Sequence, residues 1–311
     1  MGFVGCGRHA TTSVYPAVRS AGLELVAVGS RQPDRAARTA ALFGAPQAFT
    51  DVRDLPSDVE AVLVCVPPAA YLEVVLPLLE RGLPVFCEKP GAATVAQLAR
   101  IEAAAASAGV PVMVGYMKRF ARGYRVAAEF ARSEPFGQVT SLHAKFLMGP
   151  GFGSFRDYVI DNVVHALDLL RFFGGEVEEV QARSLTLDGD RHALSVLLGF
   201  ASGAVGTAQL GTTGSFLQDN ELLDVVGVEH SLTVTNVDTV VCRPPRGPVA
   251  LDRPTYTVPL PQNMTGAVMG FVPELEHFRA VVQHGVPCES DVTSARRTLE
   301  LAERVLAVVT G

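Results

Sequence analysis

Over roughly its first hundred residues the chain alternates short apolar runs with helical ones, a rhythm that few architectures accept. "GFVGCGRHA" is an apolar strand running into a glycine turn, and "TTSVYPAVRSAG" is a helix that Pro16 kinks or shortens. "LELVAVGS" is a second strand. "PDRAARTAALFG" is a helix with Pro33 in its first turn and Gly44 as its cap. "VEAVLVCVPP" is almost continuously apolar, as expected for a strand buried on both faces. "AYLEVVLPLLERG", "LPVFCEKP", "TVAQLARIEAAAASAG" and "VPVMVGY" continue the pattern. Strands joined in this way need right-handed crossovers and a parallel sheet.

The first turn is specific. Gly5-Cys6-Gly7-Arg8-His9-Ala10 matches G-x-G-x-x-A, directly after a strand and opening a helix. Its glycines permit a tight turn and close approach of backbone to a pyrophosphate, and the helix N-terminus favours the negative charge. This context makes the first domain a Rossmann-type dinucleotide-binding domain. An acidic residue ending the second strand would bind the ribose 2′-hydroxyl of NAD. The chain has Ser30-Arg31 there, a hydroxyl and a guanidinium that suit a 2′-phosphate, so NADP(H) is favoured over NAD(H).

At 311 residues the chain exceeds what one core usually supports. The alternation stops near residue 120, which divides it into domains 1–119 and 120–311. Beyond the division come a helix, "GYRVAAEFARSEPFG", a strand, "QVTSLHAKFLMG", and a glycine-rich loop, "GPGFGSFR". A long helix over "DYVIDNVVHALDLLRFFGG" follows, and then consecutive strands in "EVEEVQARSLTL", "HALSVLLGF", "GAVGTAQLG", "LLDVVGV" and "HSLTVTN". The second domain is therefore α+β, with an open, mostly antiparallel sheet. "RPPRGPVALDRPTYTVPLP" reads as irregular, and two helices finish the chain.

A net charge of −6 argues against nucleic acid as a partner, and no apolar run is long enough to span a membrane. The odd count of five cysteines, without C-x-x-C, reads as reduced thiols in a cytoplasmic protein. No H-x-H or H-E-x-x-H spacing marks a metal site. The chain opens almost inside a strand, which leaves open a start a few residues upstream.

Two stretches place charge where burial is expected. In "CEKPGAA", Glu88 and Lys89 directly follow a buried strand, and Pro90 ends it and stiffens Lys89. Strand C-terminal ends are where open α/β sheets bind ligands. On the long helix, Asp161, His165 and Asp168 fall at i, i+4 and i+7, on one face of an otherwise apolar element. Such groups are costly unless paired or functional.

Taken in order, G-x-G-x-x-A, E-K-P and D-x-x-x-H resemble the Gfo/Idh/MocA oxidoreductases, and the resemblance covers essentially the whole chain. It extends to "PELEHFRAVVQHGVP" and "DVTSARRTLELAERV", which are similar to the family's last two helices. It implies an NAD(P)-dependent dehydrogenase or reductase acting on a sugar, cyclitol or related hydroxy or keto compound. It further implies that a cis peptide precedes Pro90, that Lys89 lies beside the nicotinamide, and that Asp161 and His165 are the catalytic pair. Pro67 and Glu88 join Gly5, Gly7, Arg8, His9, Ala10, Ser30, Arg31 and Lys89 as cofactor-binding candidates. Tyr116 and Arg119 join Lys89, Asp161 and His165 as substrate-binding candidates. Either Lys89 or His165 can serve as acid/base, because a histidine titrates near neutrality and an ammonium can stabilise alkoxide charge. Assembly through the open sheet, as a homodimer or homotetramer, is the family expectation. The sequence departs from the family at Tyr71, where a histidine is common, and at Asn162 and Val163, where glycine is common. The rival readings are a non-catalytic dinucleotide- and sugar-binding regulator and a reductase of a non-sugar substrate.

Overall fold

The computed structural model describes residues 1–215, 220–258 and 260–310. They form two compact units, Met1–Met117 with Phe271–Arg297 and Lys118–Gly270 with Thr298–Gly311.

The first unit is built on six strands: β1 (Gly2–Val4), β2 (Ala27–Gly29), β3 (Gln47–Phe49), β4 (Val62–Val64), β5 (Val85–Glu88) and β6 (Val112–Gly115). All pair in parallel, in the order β3-β2-β1-β4-β5-β6. The order reverses between β1 and β4, and ligands of open parallel sheets bind outside the strand ends at such a switch point. β1, β2, β4, β5 and β6 are buried throughout, as their uninterrupted apolar runs require.

Residues 8–20 run as one helix in which the π-turn Ala10–Val14 leads into α1 (Tyr15–Ser20). Pro16 lies inside this continuous helix, just after the π-turn. α2 (Pro33–Phe43) ends on Gly44 at φ 75°. α3 (Tyr71–Glu80) carries Pro77 inside it. α4 (Val95–Ala108) is capped by Thr94, whose hydroxyl accepts the Gln97 N–H at 3.2 Å.

The second unit holds an eight-stranded sheet: β7 (Ser141–Leu147), β8 (Val177–Thr186), β9 (His192–Phe200), β10 (Val205–Gly211), β11 (Glu221–Val226), β12 (Ser231–Thr235), β13 (Thr239–Arg243) and β14 (Ala250–Asp252). Its order is β14-β13-β12-β11-β7-β10-β9-β8, antiparallel except where β7 meets β10. One face packs on α5 (Arg122–Ala131) and on the last of the helices that follow the glycine loop. These are α6 (Phe155–Tyr158), the π-turn Val159–Val163 and α7 (Val164–Gly174). Along β9 and β10 buried and exposed residues alternate, so the other face is open.

Three expectations change. The long helix begins at Phe155, two residues earlier than expected, and a π-turn interrupts it. Part of the proline-rich stretch forms β14, which pairs with β13 at the sheet's edge, where proline-rich sequence is tolerated. The division near residue 119 is crossed by a returning segment. After the short α8 (Thr265–Val268), α9 (Phe271–His284) packs Phe278 on Phe86 of β5, with ring centroids 5.8 Å apart. Ser290 then exchanges bonds with Val114, its hydroxyl donating to the Val114 carbonyl at 2.6 Å. Thr293 and Arg296, in the first turns of α10 (Val292–Thr310), donate to Glu102 at 2.6 Å each. These long-range contacts draw 271–297 into the first unit. Among the described residues no helix is long and apolar enough to cross a membrane.

Candidate active site

The glycine turn is shaped by what surrounds it. Gly5 leaves β1 at φ 117°, and a Cβ there would lie 1.9 Å from the Cys65 carbonyl oxygen, so only glycine fits. Gly7 is different: a Cβ would meet nothing within 4 Å. Residues 7–9 are exposed at the start of the helix. That is the open approach a pyrophosphate needs, and the donors are helix N-terminal amides. The residues present thus fit a dinucleotide. Tyr15, which sequence reasoning passed over, pins the turn from below. Its ring stacks between Phe3 (3.8 Å) and Phe43 (4.6 Å), and its hydroxyl donates to the Gly5 carbonyl at 3.1 Å. Burial pushes that hydroxyl's pKa far up, so it stays a donor.

Ser30 and Arg31 follow β2, with Arg31 exposed and the Ser30 hydroxyl accepting the Gln32 N–H at 3.3 Å. Pro67 is exposed just beyond β4. At the end of β5, Glu88 is buried, and the Lys89–Pro90 peptide is cis. One Glu88 oxygen accepts the Lys89 N–H at 3.2 Å, and the other faces His9 Nε2 at 3.4 Å. The turn after β1 and the E-K-P element after β5 therefore meet, although 79 positions separate His9 from Glu88 in the sequence.

In the second unit, Ser154 and Asp157 form a reciprocal capping box that starts α6. Asp161 falls within the π-turn and His165 in the first turn of α7, and both are half-buried. Asp168 parts from them. It is 1% exposed and accepts two bonds from the Arg119 guanidinium, both at 2.6 Å, and one from the Thr298 hydroxyl at 2.9 Å. Arg171 donates to the same Thr298 hydroxyl at 2.7 Å and to Glu176 at 2.8 Å. Lys118 and Tyr124 both donate to Glu221. Arg119, a substrate-binding candidate from the sequence, and its neighbour Lys118 are thus 5% and 7% exposed and tied to acids of their own unit. Tyr116 is also buried, at 1%.

Residues 1–116 match the family model described as "Oxidoreductase family, NAD-binding Rossmann fold", and residues 124–233 match the "GFO/IDH/MocA C-terminal domain". Two models of one family thus cover most of the chain. The protein belongs to the Gfo/Idh/MocA oxidoreductase family. An inositol 2-dehydrogenase of Burkholderia multivorans is 35% identical over 201 residues, 62% of this chain and 59% of that protein. The match therefore spans about three fifths of that curated relative's length. Among solved structures, a dehydrogenase from Chromobacterium violaceum superposes with a TM-score of 0.90 at 21% identity, covering 99% of this chain and 94% of its own. A levoglucosan dehydrogenase in complex with NADH and levoglucosan superposes at 0.88 and 17%, covering 99% and 96%. At these identities the two structures speak for the fold alone.

Within this Gfo/Idh/MocA chain, the departures noted in the sequence have definite settings. Tyr71, in place of the commoner histidine, is fully buried at the start of α3, and burial pushes its pKa up. Asn162 and Val163 fall in the π-turn next to Asp161, with Val163 buried. Nothing in the residue pattern announced that turn.

Proposed function

We propose that the protein is an NAD(P)-dependent oxidoreductase that moves a hydride between nicotinamide and a sugar, cyclitol or related hydroxy or keto compound, with NADP(H) preferred. What carries this reading is the meeting of His9 with Glu88, which joins the dinucleotide turn to the E-K-P element. The name of the curated relative, inositol 2-dehydrogenase, supports the substrate class.

The backbone of Gly7, Arg8 and His9 would hold the pyrophosphate, with Ala10 seating the helix against the sheet. Ser30 and Arg31 would face the adenosine ribose. No acid stands at either position, and the Arg31 guanidinium suits a 2′-phosphate. When bound, the nicotinamide supplies the carbon that accepts or gives the hydride. The chain's own residues handle the proton. The reacting oxygen loses a proton on oxidation, and developing negative charge on it is stabilised by the Lys89 ammonium. Lys89 or His165 receives the proton or returns it, and Asp161 orients His165 or a substrate hydroxyl. Pro67 would border the cofactor. Tyr116 and Arg119, being interior, would shape the substrate's surroundings through neighbours.

Paired fluorescence titrations with NADPH and NADH, followed by turnover assays on polyols, sugars and their ketones, test the reading. Replacing Lys89 by Met should lower kcat/KM by about 10²–10⁴-fold with dinucleotide affinity largely retained. Comparing pH profiles of Lys89→Met and His165→Asn identifies the acid/base: its variant loses the inflection. Dinucleotide binding without turnover on any substrate would point to a sensor instead.

We also propose self-association through the open face of β8–β10. Leu185, Leu187, Leu197 and Val205 are 45–61% exposed on or beside that face, and apolar side chains left in water favour a covering partner.

A further inference from the structure

The first unit buries a carboxyl that the proposed chemistry does not use. Glu274, on α9, is fully buried, and among the described residues neither of its carboxylate oxygens has a hydrogen-bond partner. Its setting is bracketed by two aromatic contacts on the same helix face. Phe271, three residues earlier, has its ring 5.8 Å from that of His9 in the glycine turn. Phe278, four residues later, packs on Phe86 of β5. Positions i, i+3 and i+7 share a face, so the face carrying Glu274 covers the turn and β5. On β5, Phe86 and Glu88 point to the same side. Gly115, paired with Glu88, makes room for both. A Cβ there would lie 2.7 Å from the Phe86 ring and 3.4 Å from Glu88 Cδ. Glu274 and Glu88 thus share one compartment. Besides the two carboxyls, the titratable group facing it is His9 from the turn, while the Lys89 amide occupies the second Glu88 oxygen. Cys87, next to Glu88 on β5, points to the opposite side of the sheet, and Tyr71 of α3 is influenced by Cys65 and Cys87 ahead of Glu88.

The one imidazole faces Glu88 and not Glu274, so the compartment cannot hold two negative charges in balance. Burial first, and the charge of Glu88 second, push the Glu274 carboxyl well above the usual carboxylate range. Tyr71 and Cys87 are pushed up by burial as well and bring no charge.

We propose that Glu274 is a positioning residue of the dinucleotide site, a neutral acid that carries a proton beside Glu88 and leaves Glu88 free to tie His9 to the E-K-P element. Ionising Glu274 would put like charges together away from water and part Glu88 from His9. The effect on cofactor binding rests on the functional reading above; the proton itself does not. The direction follows from linkage. The native state holds this proton more tightly than the unfolded chain does. Stability is therefore full at acid pH and falls as pH rises through the ordinary carboxylate range toward the native value.

Glu274→Gln, a neutral isostere, tests the proposal. Infrared spectra of the full chain without dinucleotide should show a protonated carboxylic acid at neutral pH, absent from the variant. NADPH and NADH titrations should give the two proteins equal affinity at neutral pH. On the alkaline side the parent should lose up to about tenfold per pH unit while the variant does not. Absence of the band from the parent overturns the proposal, and so do equal pH profiles. A parent that binds no dinucleotide at any pH defeats the functional reading. The infrared band and the pH slope of urea unfolding then decide the proton by themselves, as they also do if the variant fails to fold.

Discussion

Replacing Asp168 by Asn leaves the Arg119 guanidinium buried and facing an amide instead of a carboxylate. Arg119 is 5% exposed and Asp168 1%, so water cannot take the missing place. Asp168 accepts three bonds at 2.6–2.9 Å, two from Arg119 and one from Thr298, which in turn accepts from Arg171. Breaking one side of such a buried pair costs about 3–5 kcal/mol, because the remaining charge stays desolvated. At about 2–4 °C per kcal/mol for a unit of this size, Tm should fall by roughly 10 °C. Circular dichroism melts and urea unfolding of the full chain measure this. Dinucleotide affinity should hold, because the glycine turn, Arg31 and Lys89 belong to the first unit and Asp168 to the second. The double change Arg119→Met with Asp168→Leu, which removes both charges, should recover much of the loss. A variant that unfolds within about 1 kcal/mol of the parent yet has lost most of its kcat/KM would refute the argument. It would return Arg119 to the substrate-binding role that the sequence suggested.

Other outcomes follow from the same geometry. Gly5→Ala forces a Cβ into the Cys65 carbonyl at a positive φ, so it should cost roughly 3 kcal/mol or more in urea unfolding. Gly7→Ala meets no atom, so it should change stability by less than about 0.5 kcal/mol while weakening NADPH in fluorescence titrations. Arg31→Asp should lower NADPH affinity by about 10–100-fold and move the preference toward NADH, since a charge-assisted bond to phosphate contributes about 1.5–3 kcal/mol. An unchanged ratio would remove Arg31 from the ribose site. Leu197→Lys, at the middle of the open face of β9, should shift light-scattering mass toward the monomer without altering the melt.

The parts that the sequence by itself determined are those with local causes. Continuous apolar runs require strands buried on both faces, and β1, β2, β4, β5 and β6 are. Gly5 is there because its own φ and the neighbouring strand admit no side chain, and a glycine can be read without knowing the neighbour. Glu88-Lys89-Pro90 stood out because charge after a buried strand is expensive, and the structure puts Glu88 inside with His9 facing it. The consecutive short strands after the long helix likewise foretold an open, mostly antiparallel sheet.

What only tertiary structure decided is which distant group each buried charge meets. Asp168 shares helical spacing with Asp161 and His165. Its partner Arg119 lies 49 positions earlier and Thr298 lies 130 later, and no periodicity encodes such pairings. The π-turn at Val159–Val163 left no mark on the residue pattern. α9 looked like a C-terminal helix of the second domain, yet Phe271, Glu274 and Phe278 close over His9 and β5. A side chain's local spacing sets its face. Desolvation sets the cost of leaving it unpaired there, and only the folded chain supplies the partner.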